Sequence, residues 1–302
     1  LKEVAGGNVL SFIYALCCFV FGLTVANAMQ THAISYGVHT TWAVDPYITG
    51  AALALFICYI VFGGARRIVA VSDAIVPVKV AVFFGATLII ISYHSGSLVA
   101  ALELMIKGAF KPEALMGGAL GITIMQSMTS GLNLSLTATE SGLGTAAILF
   151  GYTGSNDAVR NGLMGMVSAF VSSLVCFIVA LCIVMSGVWD SGLQSTALTI
   201  ASFNTVFGAW GGWIVTFLSI SFGIGVTVSY AYITRAAWLA VTNGRFELFF
   251  ALAYCAAGFA GAIVDVHRMW TAVQIMNGVL LAINLFGLLL LMPRLVRSYY
   301  GK

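Results

Sequence analysis

Apolar residues run along this chain in long blocks, separated by short stretches that carry most of the charges and prolines. A helix needs about 20 mostly apolar residues to cross the hydrocarbon of a bilayer. Eight such blocks can be read between the charges, at about 8–31, 46–64, 72–93, 114–151, 161–187, 212–234, 247–264 and 269–292. Pro46, Pro112 and Pro293 mark block edges, where proline punctuates helices, and Pro77 falls near the start of the third block, placed to kink it. The alternating strands of ~10 residues that build a transmembrane barrel are absent. The pattern predicts an all-α membrane protein, a polytopic helical bundle forming one transmembrane domain over residues 1–302.

Composition agrees. Hydrophobic residues make up 61% of the chain and charged residues 8%, whereas a soluble domain carries roughly a quarter charged residues. No soluble fold could cover so much apolar surface, so the lipid bilayer has to act as solvent. The net charge of +3 is small and dispersed, which argues against a nucleic-acid partner. Cys17, Cys18, Cys58, Cys176, Cys182 and Cys255 all lie in apolar runs and read as small hydrophobes, so neither disulfides nor a metal site are expected. The chain starts at Leu1 without a basic stretch and a small-residue cleavage site, which reads as a missing N-terminal part rather than a signal peptide.

Charge orients the bundle. With Leu1 on the cytoplasmic side, Lys2, Arg66, Arg67, Arg160, Arg235, Arg245, Arg294, Arg297 and Lys302 fall inside, and only Lys107, Lys111 and Arg268 fall outside. The positive-inside rule then puts both termini in the cytoplasm of a cell-membrane protein. Lys79 sits near the inner end of a span, where its stem could snorkel. Residues 95–110 read as an external amphipathic helix and 197–211 as an external re-entrant or surface segment.

Nine of the ten acidic residues lie at block ends or in loops; Glu140 alone lies mid-block, and an intramembrane carboxylate marks a functional site by default. Its block is also too long, since a continuous helix from Ala114 to Phe150 would measure ~55 Å against a ~30 Å core. The run Ser135-Leu136-Thr137-Ala138-Thr139-Glu140-Ser141-Gly142-Leu143-Gly144-Thr145 concentrates hydroxyls and glycines, which make a break cheap. A helix broken near 135–145 would offer N–H groups to a carboxylate and carbonyls to an ammonium or cation, as a zwitterion requires. Glu140 could touch such a cargo or brace the break from within.

The same run resembles the hallmark G-L-F-S-N-E-A-G-L-G-S-A-P-I of the alanine or glycine:cation symporter family, the sodium:alanine symporters. Glu140, Gly142, Leu143, Gly144, Ala146 and Ile148 are kept, while Thr137-Ala138-Thr139 replace Phe-Ser-Asn. Gly63-Gly64-Ala65-Arg66-Arg67-Ile68 with Val76-Pro77, then Val159 to Met166, Phe203 to Gly208 with Gly211-Gly212, and Trp270, Asn277, Gly278 and Asn284 are similar to further family motifs in the same order. Asn27 and Gln30 resemble the family's N-M-V-Q, with the following asparagine replaced by His32; they stand one helical turn apart, on one face.

The resemblance implies an inverted-repeat (5+5) amino-acid transporter fold lacking its first core helices, so that this chain holds core helices three to ten. It implies a secondary active transporter that moves a small neutral amino acid such as alanine or glycine by symport with a cation, sodium as coupling ion, and no other cofactor. The implied substrate contacts are Asn27, Gln30, Thr137, Ala138, Thr139, Glu140 and Gly142. The family's paired cation-binding threonines align with Gly225-Val226, which leaves Thr227 and Ser229 as the nearest hydroxyls and keeps a proton-coupled carrier, or a non-transporting membrane protein of the same fold, as alternatives. An embedded enzyme is disfavoured because His32, His39, His94 and His267 lie near outer block ends with no HExxH or GxSxG cluster; a channel is disfavoured because no polar ring or filter loop is evident.

Overall fold

The computed structural model describes residues 7–63, 65–110, 119–151 and 157–300. Among these, regular structure is entirely helical. Six helices among the described residues are long and apolar enough to cross a membrane.

The first block extends beyond its predicted end. Helix α1 (Gly7–Leu23) passes through a π-turn (Thr24–Ala28) into α2 (Met29–Trp42), forming one 36-residue rod. The boundary near 31 fails because Thr31, Ser35 and Gly37, polar or small enough to suggest an end, are buried inside the helix instead. Ala43 in the left-handed conformation stops it, its N–H returning to His39 O at 2.9 Å. The Asp45 carboxylate then accepts Tyr47 N at 2.7 Å and starts α3 (Pro46–Gly63).

Helix α4 (Ala65–Tyr93) carries Pro77 within it, and a short 3-10 turn (Ser95–Ser97) leads to α5 (Leu98–Phe110). Ala101 of α5 packs on Leu181 and Met185, while Glu103 and Lys107 pair on its outer side. Pro112 lies outside the described residues. After α6 (Ala119–Thr139) and α7 (Thr145–Gly151), α8 (Ala158–Met185) begins at Asp157, whose carboxylate accepts the N–H groups of Val159 at 2.9 Å and Arg160 at 3.1 Å.

The segment around 197–211 is mostly helix. In α9 (Ser195–Phe207), Ser202 donates to Cys182 O at 3.0 Å and accepts from Ser186 Oγ at 2.9 Å, so α9 is built into the bundle. Helix α10 (Ala209–Thr242) follows at once, then α11 (Glu247–Ile263) and α12 (Val266–Tyr300). Pro293, read as an edge, stands inside α12; membrane helices tolerate interior proline because neighbours or local adjustments satisfy the freed carbonyl.

Helix α10 is the most buried of the long helices and packs on α1, α2, α4 and α9. The main core joins Phe21, Ile57, Tyr230, Tyr254, Val273 and Leu280 with Leu143 from the link between α6 and α7. Small residues let backbones approach: a Cβ on Gly261 of α11 would strike Ala28 in the π-turn. Outward, Leu55, Met166, Phe170 and Leu289 are each at least 66% exposed, an apolar surface that suits acyl chains rather than water.

Candidate functional site

The expected break is present. Towards the end of α6 the hydroxyls of Thr137 and Thr139 donate back to the carbonyls of Asn133 at 2.8 Å and Ser135 at 2.9 Å. Such back-bonding loosens a helix. The last helical bond is Glu140 N to Leu136 O at 2.9 Å, after which Glu140, Gly142 and Gly144 all take positive φ, at 54°, 79° and 84°. Glycine takes this conformation freely; for Glu140 it costs roughly 1–2 kcal/mol. A Cβ on Gly144 would strike the Tyr14 hydroxyl and lie 2.6 Å from Asn284 Oδ1.

Two other helices hold the opened backbone. Tyr14 of α1 donates to Leu143 O at 2.9 Å, and Asn284 of α12 donates from Nδ2 to Gly142 O at 2.9 Å. Asn277, one and a half to two turns earlier on α12, donates to Thr137 Oγ1 at 2.7 Å while its buried Oδ1 has no partner. Within the break, Thr145 donates to Glu140 Oε2 at 2.9 Å, so the carboxylate ties the end of α6 to the start of α7. The Tyr230 phenol of α10 is buried beside Glu140 and Thr145 but meets hydrogen-bond geometry with neither. Among the described residues no lysine or arginine pairs with Glu140. This is bracing geometry, with a carboxylate and a phenol available at its centre.

The other singled-out residues are dispersed. Asn27, fully buried, donates from Nδ2 to Tyr254 O at 2.6 Å and faces α11. Gln30 instead lines a cavity of about 340 Å³ with Phe83, Thr196, Ser219 and Phe222, between α2, α4, α8, α9 and α10. The expected shared face is lost because the π-turn changes the helical phase between the two residues. No residue of the break lines that cavity. Along α10 its wall residue Ser219 and the break's neighbour Tyr230 share a face but stand about 16 Å apart in depth. Ala138 is half-buried beside the hydroxyls of Thr137 and Thr139. Thr227 Oγ1 is buried without a partner, and Ser229 stands about 200° further round α10, so the two hydroxyls do not converge.

Sequence reasoning missed Tyr14 and Tyr230. Their only signal is a phenol inside an apolar run, and the aromatic residues read as packing and lipid-facing surface.

Comparison with known proteins bears on what this arrangement serves. The family model described as the sodium:alanine symporter family matches residues 1–300. The chain belongs to that family. It is therefore a multi-pass membrane protein of a transporter family and not an enzyme. It is 28% identical over 278 residues to an uncharacterised transporter of Haemophilus influenzae, covering 89% of this chain and 61% of the relative. It is 27% identical over 290 residues to the sodium/alanine symporter AgcS of Methanococcus maripaludis, covering 94% and 63%. A probable sodium/glutamine symporter of Bacillus subtilis, GlnT, is 26% identical over 275 residues, covering 90% and 56%. The chain thus spans between 56% and 63% of the length of these curated relatives.

Proposed function

We propose that the protein carrying this chain moves a small neutral amino acid, alanine or glycine, across the cell membrane by alternating access coupled to a cation. The observation that carries the proposal is the unwound segment 140–144, opened inside an apolar bundle and pinned by side chains from α1 and α12. Irregular backbone at membrane depth is tolerated only where it is buried in protein or lines a cavity, and carriers use it to bind cargo. Family membership and relatives named as alanine and glutamine symporters support an amino-acid cargo and sodium as the family's ion.

In this reading Gln30, Thr137, Ala138, Thr139, Glu140 and Gly142 serve the cargo, with Asn27 fixing the π-turn that precedes Gln30. Both termini of the chain lie in the cytoplasm. The two half-helices α6 and α7 change angle about the break as access alternates, and Glu140 keeps them joined through Thr145. The test is uptake of labelled alanine into proteoliposomes by the full-length protein. Glu140→Gln keeps an acceptor for Thr145 and should retain most uptake if bracing is the role; Glu140→Ala should abolish it. Uptake untouched by both changes, or by Gln30→Ala as well, removes the assignment.

A further inference from the structure

Lys79 stands at the midpoint of α4, which runs Ala65–Tyr93. It does not snorkel away from the bundle. Its Nζ lies 4.7 Å from the centroid of the Phe222 ring and 3.0 Å from where a Cβ on Gly225 would sit. Both neighbours belong to α10, so the ammonium is folded into the α4–α10 seam, in a space that exists because residue 225 has no side chain. Among the described residues no carboxylate pairs with it. An unpaired ammonium inside a membrane helix is costly, and residues of this kind mark ion pathways.

The described residues of this chain offer a mobile cation few ligands at the seam. Thr227, whose Oγ1 is buried without a partner, lines with Thr31, Ile34, Leu53, Ile57 and Val228 a void of only about 10 Å³, and it stands about 200° round α10 from Gly225. Ser229, one turn beyond Gly225 on the same face, is a single hydroxyl where a bare monovalent ion needs several oxygens. A second positive charge one helical turn, about 6 Å, from the Lys79 ammonium would bind about a hundredfold more weakly at an effective dielectric constant near 20. Phe222, over whose ring the ammonium lies, also walls the 340 Å³ cavity that Gln30 lines, so the fixed charge stands one ring behind that cavity.

We infer that Lys79 is a resident cation, that its ammonium takes the place of a mobile one in the α4–α10 seam, and that the carrier works without sodium. The inference rests on the carrier reading above and narrows its coupling ion. Gly225 and Lys79 are matched: a Cβ at 225 would lie 3.0 Å from the Lys79 ammonium and would push the lysine tip aside.

The test compares uptake of labelled alanine by the full-length protein in sodium chloride and in choline chloride. Wild-type uptake should agree between the two salts to within about twofold, and Lys79→Gln should lower it about tenfold or more in both. The double change Lys79→Met with Gly225→Thr replaces the ammonium by a hydroxyl, and uptake should then need sodium. Wild-type uptake that collapses in choline overturns the inference; so does Lys79→Gln behaving as wild type in both salts. If no alanine uptake occurs in either salt, the carrier reading fails for alanine, and thermal unfolding of the purified full-length protein decides the ion separately. A sodium-specific rise in the wild-type midpoint overturns the resident-cation inference, and a rise confined to the double variant supports it.

Discussion

Replacing Tyr14 by Phe removes one oxygen and almost no volume, which makes it a clean probe of how the break is held. The phenol donates to Leu143 O at 2.9 Å, and Leu143 is fully buried, so water cannot take over the bond. A buried carbonyl left unmet costs about 1–3 kcal/mol, whereas side-chain bonds between membrane helices average ~0.6 and reach ~1.7 kcal/mol. A value of about 1 kcal/mol is the reasonable expectation, equivalent to roughly fivefold more frequent local opening. Hydrogen–deuterium exchange of the full-length protein in detergent reads this directly: amides in 140–147 should exchange about fivefold faster in Tyr14→Phe while those of α3 and α11 keep their wild-type rates. Asn284→Leu, which frees Gly142 O, should have a similar local effect, and the two changes together should depart from additivity because adjacent carbonyls share one backbone unit. Unchanged exchange in 140–147 for both variants would refute the reasoning, since the opened segment would then not depend on its side-chain clasps.

Gly142→Ala forces a Cβ to 2.7 Å from Leu281 Cδ1 in a left-handed conformation, so a loss of about 2–4 kcal/mol and a lower unfolding midpoint are expected; a midpoint equal to wild type would mean that the break has slack. Gln30→Ala and Asn27→Ala should separate. The first faces a cavity and should reduce uptake with little change in midpoint, while the second removes a fully buried amide bonded to Tyr254 O and should lower the midpoint by the equivalent of about 1–2 kcal/mol. Equal midpoints for the two variants would contradict the different surroundings of these side chains.

The helical segmentation was legible because a bilayer leaves the backbone few choices: an apolar run of sufficient length becomes a helix wherever its charges fall. The break was legible for a related reason. Thr137, Thr139, Gly142 and Gly144 are cheap places to interrupt a helix, and Glu140 would be costly in an uninterrupted one facing lipid. What escaped were relations between distant residues. Lys79 looks like a snorkelling lysine until Gly225, far along the chain, is found to make room for its ammonium. The first block reads as ending near 31, but Thr31 and Ser35 are buried within the helix, and Thr31 returns its hydroxyl to Ala28 O at 3.0 Å. Pro293 lacks a local signal that tells an edge from an interior. The π-turn at 24–28 likewise has no composition of its own, and it alone sends Asn27 and Gln30 to different neighbours.

That π-turn means the helix Gly7–Trp42 is two screws threaded with different phases and joined at one thread. Five π residues and four α residues sweep nearly the same angle, about 400°, so deleting one residue from Thr24–Ala28 would restore uniform winding and leave the second half almost where it stands. Deleting a residue from the regular turns of α1 instead would rotate everything beyond it by about 100°, swinging Thr31, Ile34 and Ser35 out of their sockets and Gln30 out of its cavity. The stretch 24–28 is thus the one place in this helix where chain length can change by a residue with the register of the second half kept.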